Sequence, residues 1–170
     1  ELLAADDSVG VYPQLIKQWD KNDPRLKEIE EGMAFINKMV PRSARPAEDV
    51  VVFRKGGRGR SSCGYSVNLT TRANARTVVH EVGHWLEDNC PQIRAKVFSF
   101  YERRTAGDPL LTMNQATGSR AYRGSERTRK DKFLSAYMGK EYVSRGRRYA
   151  TEILSMGLEY MHSDPVHLAK

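Results

Sequence analysis

From Leu26 to Met39 apolar residues return every three or four positions, at Leu26, Ile29, Met33, Phe35, Ile36 and Met39. This spacing predicts an amphipathic helix. Asp23-Pro24 supplies its start and Pro41 its stop. A shorter helix is expected over Val11–Trp19, after a polar stretch 1–10. Pro41 to Glu48 reads as a linker. Asp49-Val-Val-Val-Phe-Arg54 is β-branched and compact, which predicts a strand. Tyr65, Val67 and Leu69 then alternate with Ser66, Asn68 and Thr70. That period of two marks a half-buried strand, whose open edge is a place for an extended peptide to add. Between the strands, Lys55-Gly-Gly-Arg-Gly-Arg60 has the backbone and guanidinium groups to hold phosphate. It lacks the spacing of a phosphate-binding fingerprint, so a surface turn is expected.

The clearest helical pattern follows. Ala75, Val78, Val79, Val82, Trp85 and Leu86 form one apolar stripe. Thr71 is the expected N-cap, and Asn89 and Pro91 the end. Ile93–Tyr101 predicts another helix. Residues 105–132 show no periodicity and are rich in Gly, Ser and Arg, so a mobile or irregular loop is expected. Phe133–Val143 suits a short hairpin or irregular segment. Arg148–His162 predicts the last helix, with Ala150, Ile153, Leu154, Gly157 and Met161 buried and Glu152, Ser155, Met156 and Glu159 opposite. Asp164-Pro165 stops it. The expected fold class is α+β: a small sheet of 49–54 and 65–70 packed against the helix that Thr71 caps and Asn89 ends, and against a second, Glu-bearing helix. With 170 residues, one domain is expected, helical over 1–47 and carrying its site in 48–170.

Chemistry enters at His80-Glu81-Val82-Gly83-His84, an H-E-x-x-H motif on the predicted helix. Helical residues four apart lie nearly one above the other, so His80 and His84 point two imidazoles at one metal ion. Glu81 lies beside them, placed to act on a water without ligating the metal. Composition alone yields roughly 0.006 such matches in a chain like this. On the helical wheel both histidines fall opposite the apolar stripe, with Ala73 and Thr77 beside them, whereas core histidines would sit inside it.

A catalytic zinc site has three protein ligands and one open position. The longer pattern H-E-x-x-H-x-x-G-x-x-H would take its third ligand at position 90, but Glu87 replaces the glycine and Cys90 the last histidine. The third ligand is therefore sought downstream, where Glu152, Glu159, His162 and His167 are candidates. Glu152 opens Glu152-Ile-Leu-Ser155, an E-x-x-S pattern. Tyr142, Tyr149 and His162 are candidates to stabilise an oxyanion, with Tyr149 favoured because it precedes Glu152 by about one turn.

These two stretches, Val78–His84 and Thr151–Ser155, resemble the gluzincin branch of zinc metallopeptidases, typified by thermolysin. The resemblance implies a zincin-like fold and a His80, His84 and Glu152 set holding Zn2+. It further implies Glu81 as general base in peptide hydrolysis. In thermolysin-like members an Asp follows that Ser and holds the first zinc histidine. Here Met156 stands in its place, so that contact to His80 comes from elsewhere or is absent. Asp131–Tyr142 and Thr151–Tyr160 also resemble phage and prophage proteins of the head-morphogenesis or toxin type, which implies a viral or mobile-element origin.

Charge adds a second functional class. The net charge is +7. Between Arg103 and Lys132, eight basic residues face three acidic ones, a net +5. A catalytically silent zincin-fold protein contacting nucleic acid or an acidic protein through this segment is the alternative to a peptidase acting on a protein. An intact Glu81 favours the peptidase, since only catalysis needs it. No stretch of 18 or more apolar residues exists, so no membrane partner is expected. The chain begins at Glu1, the start expected of a processed product or of a piece of a longer protein. Residues 1–20 do not read as a signal peptide, and a cytoplasmic or virion-associated place is expected, with secretion left open. Cys63 and Cys90 do not make a disulfide framework.

Overall fold

A computed structural model of the chain describes residues 19–45, 51–57, 60–64 and 66–169, with the side chain of residue 42 outside that set. The helix expected over Val11–Trp19 lies outside the described residues except for Trp19, which is buried. The fold is α+β. In chain order it runs α1 (Arg25–Met39), β1 (Phe53–Lys55), β2 (Ser62–Cys63), β3 (Val67–Leu69), α2 (Ala75–Asn89), α3 (Pro91–Arg104), β4 (Leu111–Thr112), α4 (Met113–Thr117), β5 (Arg127–Thr128), β6 (Lys140–Ser144), β7 (Arg147–Thr151), α5 (Ile153–Ser163) and α6 (Pro165–Leu168).

Helix α2 is the axis of the molecule, packed against α1, α3, α5 and the first sheet. Its stripe is buried as expected: Val78, Val79, Val82 and Leu86 have at most 1% of their surface exposed. They join Ile36 of α1 and Val67 and Leu69 of β3 in the main core. Each such side chain contributes about 1.5–3 kcal/mol of burial. A second cluster, with Val97, Tyr101, Met138, Ile153 and Met156, lies where α3 meets α5.

The N-terminus of α2 differs from the expectation. Asn74, not Thr71, is the N-cap: its side chain accepts the Thr77 N–H at 3.0 Å, and the Thr77 side chain closes the capping box. Residues 71–73 form a turn instead. Glu28 of α1 accepts the Ala75 N–H at 2.7 Å, placing a carboxylate at the positive end of the helix.

The first sheet has the order β1-β3-β2, with β1 and β3 parallel and β2 antiparallel to β3. The strand ahead of α2 is therefore paired on both sides and has no edge to offer a peptide. The outer positions belong to β1 and to β2, which follows the Gly-rich stretch Lys55–Arg60. The second sheet is a meander β4-β5-β6-β7. The segment 105–132 is mostly irregular, as expected, but it contributes β4 and β5 to this sheet and carries the short helix α4 between them. Much of that segment's charge is used internally. Arg104 pairs with Asp131 at 2.7 Å, Arg129 donates to the Asp108 carbonyl at 2.5 Å, and Arg127 donates to the Gly124 carbonyl at 2.6 Å.

The last helix also begins later than its pattern predicts. Residues 147–151 form β7, and α5 starts at Ile153. The hairpin β6–β7 turns at Arg145 and Gly146, both at positive φ (50° and 76°). Such two-residue turns match strand twist and favour Gly. Ala150, assigned to the helical stripe, is thus a strand residue.

Candidate metal centre

Three elements meet at the candidate centre. Helix α2 carries His80, Glu81 and His84; β7 delivers the chain to Glu152; and α5 carries Glu159. Glu152 is not on a solvent-facing helix side, as its spacing suggested, but fully buried at the junction of β7 and α5. Its N–H donates to the Lys140 carbonyl at 3.1 Å and its carbonyl starts α5 by accepting from Met156 at 3.1 Å. Ser155, also fully buried, donates to Glu152 Oε2 at 2.8 Å, so the E-x-x-S spacing becomes a hydrogen bond that orients the carboxylate.

The two helices cross closely enough to join these groups. A Cβ on Gly83 would lie 2.6 Å from Ser155 Cα, so the glycine permits the approach. His84 Nε2 lies 3.1 Å and His80 Nε2 3.4 Å from Glu152 Oε2. The three donor atoms all lie within 4.8 Å of one another. Zinc with bonds of about 2.0–2.1 Å places tetrahedral ligand atoms about 3.3 Å apart. The two carboxylate–imidazole distances are of that order, and two imidazole nitrogens with a carboxylate oxygen are a set that could hold a metal ion.

Outer contacts hold the donors. His80 Nδ1 is 2.6 Å from Glu159 Oε2, and Arg76 pairs with the same carboxylate at 2.5 Å. Glu159 thus supplies the histidine-holding contact that Met156 cannot. It lies seven residues after Glu152, two turns along α5 and beyond the E-x-x-S pattern. Tyr142 donates to Glu152 Oε1 at 2.5 Å. Glu87, one turn beyond His84 and fully buried, accepts from the Thr151 N–H at 2.8 Å and its hydroxyl at 3.1 Å. That ties the end of α2 to the residue immediately before Glu152.

Electrostatics follow the geometry. Burial alone would raise the Glu152 pKa, but bonding to His84, the histidine charges and the Tyr142 hydroxyl hold it down at about 2. Burial alone would lower His84, yet its bond to Glu152 and the charges of Glu81 and Glu87 raise it. Burial raises Glu81 against the opposing pull of both histidines. It also pushes Glu87 up to about 7, against the Thr151 hydrogen bonds.

An open cleft of about 470 Å³ reaches these groups. Its walls include β2, Tyr142 and Tyr149. Tyr149 is 48% exposed, its ring 6.0 Å from that of Tyr142. Tyr137, not singled out from the sequence, also lines the cleft, beside Tyr142 and Glu152. The remaining candidates lie elsewhere. His162 packs edge-on against Phe35 with Nε2 3.7 Å from Glu31, His167 stacks on Tyr160, and Cys90 sits in the main core. Cys63, on the cleft wall, is not joined to Cys90 by a disulfide. Among the described residues no helix is long and apolar enough to cross a membrane.

Compared with family models, with curated proteins and with solved structures, the chain matches none of them.

Proposed function

We propose that this chain is a zinc-dependent peptidase of gluzincin type. The observation that carries the reading is the convergence of His80, His84 and Glu152, from two separate parts of the chain, beside a buried Glu81 that holds no place among the three donors. His80, His84 and Glu152 would hold the ion. When bound, zinc supplies Lewis acidity, polarising a scissile carbonyl and bringing the pKa of a water toward neutrality.

The protein's own groups divide the remaining work. Glu81 accepts a proton from the attacking water and returns it to the leaving amine, and its burial-raised pKa brings it nearer to neutral, where a base that must also donate works best. Tyr142 has its hydroxyl committed to Glu152 and Tyr137 bonds to the same pair, so Tyr149, half-exposed on the cleft wall, is the cleft tyrosine left to donate toward a developing oxyanion. Glu159 and Ser155 keep His80 and Glu152 in one orientation, which a preorganised site requires.

Glu81 and Glu152 separate by role, which provides the test. Glu152→Ala leaves two histidines and lowers zinc affinity by orders of magnitude. Glu81→Gln retains about one zinc per chain and its folding, yet loses nearly all turnover. Zinc per chain after dialysis and hydrolysis of an unstructured protein are measured on both variants and the parent. Full zinc in Glu152→Ala, or undiminished hydrolysis in Glu81→Gln, refutes the assignment. Full zinc with no hydrolysis by the parent chain favours the catalytically silent alternative.

A further inference from the structure

We propose that the Arg60–Arg123 side of the cleft captures a carboxylate of the substrate peptide, so that the peptidase favours peptides that place a carboxylate there. The inference rests on the peptidase reading for its chemistry and on the cleft's charge layout for its direction.

Three cations line the cleft: Arg60, Arg123 and Lys140. Lys140 is neutralised in place. It is buried, pairs with Glu126 at 2.8 Å and lies over the Tyr137 and Tyr142 rings at 4.9 and 4.6 Å. Glu126 also accepts the Arg123 backbone N–H at 2.6 Å, which pins the loop carrying that side chain. The Lys140 ammonium is the first cause holding the Glu126 pKa down, and Arg60 acts on it only at longer range. Arg60 and Arg123 are exposed, and among the described residues neither guanidinium forms an ion pair. One carboxylate therefore answers three cations, and two guanidinium groups are left facing the cleft.

The other charges give the layout its polarity. Glu81 and Glu152 belong to the metal centre. Asp88 lines the cleft near Cys63, whose thiol its charge helps to push up to about 12, after burial. An acidic peptide is thus repelled from the Asp88 side and drawn to the arginines. Guanidinium recognises carboxylate through paired N–H donors in a planar fork, which a lysine cannot reproduce. The carboxylate can come from an Asp or Glu side chain near the scissile bond or from the peptide's own C-terminus.

The test measures binding apart from turnover. Fluorescent peptides are titrated into zinc-loaded Glu81→Gln protein: an acetylated, amidated peptide with Glu at one position, its Gln counterpart, and the Gln peptide with a free C-terminus. The acidic peptide is expected to bind about tenfold tighter than the neutral one, with the gap closing as salt rises. In Arg60→Gln/Arg123→Gln that preference falls to about one, and Arg123→Glu turns it toward a Lys-containing peptide. A gain confined to the free C-terminus assigns the site to the chain end, and a gain confined to the Glu peptide assigns it to a side chain. Equal affinity for all three peptides, no measurable binding of any, or a preference that survives the double substitution overturns the proposal. Tighter, arginine-dependent binding of a DNA oligonucleotide overturns it in favour of a nucleic-acid surface. Selective binding to the Glu81→Gln protein with no hydrolysis by the parent chain refutes the peptidase reading alone.

Discussion

Gly83→Ala tests how the fold makes the site. A Cβ there would lie 2.6 Å from Ser155 Cα and 3.1 Å from Ser155 N. Both atoms are backbone and cannot rotate away. Ordinary carbon–carbon contact begins about 1 Å further out, so α2 and α5 must part by about that much. Overpacking of this kind costs about 1–3 kcal/mol, offset by the roughly 1 kcal/mol that Ala gains over Gly inside a helix. The metal-free variant should therefore be up to about 2 kcal/mol less stable, a Tm lower by as much as roughly 4–8 °C in a domain of this size.

The same displacement acts on the donors. Gly83 lies between Glu81 and His84, and Ser155 is three residues beyond Glu152. Zinc–ligand distances tolerate about 0.2 Å, so a 1 Å separation of the helices breaks the set. A hundredfold loss of affinity removes about 2.7 kcal/mol of zinc-dependent stabilisation at saturating metal. The assay is thermal unfolding with and without zinc, alongside a competitive zinc titration. Gly157→Ala is the control: a Cβ at Gly157, also on α5, meets nothing within 4 Å, so that variant should gain about 0.5–1 kcal/mol. If Gly83→Ala melts with the parent and binds zinc as tightly, the close crossing is refuted. With it falls the account of how Glu152 reaches the histidines.

Removing the carboxylate behind His80 with Glu159→Ala should weaken zinc 10–100-fold while leaving one ion bound at saturation, as measured against a competing chelator. Tyr149→Phe should lower kcat about 10²-fold with little change in zinc content, and an unchanged kcat would move the oxyanion role to another group. Glu87, ordinarily near 4.5 and pushed to about 7 in the fold, binds its proton more tightly folded than unfolded, so metal-free stability should fall by about 3 kcal/mol as pH rises from 4.5 through 7. Glu87→Gln should flatten that window in urea unfolding, and an equal slope in both proteins would refute the assignment.

The histidine half of the centre was legible because it is local: five residues of helix carry both imidazoles, and the apolar stripe fixes which way they point. Glu152 was found through a resemblance, and for a different local structure than it has. Its neighbours Ala150, Ile153, Leu154 and Gly157 satisfy a helical period by coincidence, because a strand runs directly into a helix and each contributes buried residues. Gly146 was the available signal for the turn, placed between the Tyr142-Val143 and Tyr149-Ala150 runs. Ser62-Cys63 as an outer strand was not legible, since two residues carry no period. Glu87 and Glu159 were visible as residues but not as contacts. Their roles depend on Thr151 and His80, 64 and 79 positions away, and only the crossing of α2 and α5 brings those pairs together.

That crossing gathers charge as well as ligands. Glu81, Glu87 and Glu152 are buried and Glu159 partly so, around two imidazoles, and Arg76 on Glu159 is the cation paired among these four carboxylates. Burying unbalanced carboxylates is strongly unfavourable unless each is protonated, hydrogen-bonded or paired. The four use different means. Glu87 holds its proton more tightly and takes two hydrogen bonds from Thr151. Glu159 takes Arg76 and His80, while Glu152 takes Tyr142, Ser155 and the histidines. Glu81 alone has burial and like charge raising its pKa with only the histidine charges against them. A divalent cation held by His80, His84 and Glu152 would lie beside Glu81 and offset that repulsion without bonding to it. Zinc should therefore stabilise Glu81 in its ionised form, the form a general base requires, and the residue with the weakest local compensation is the one the mechanism needs.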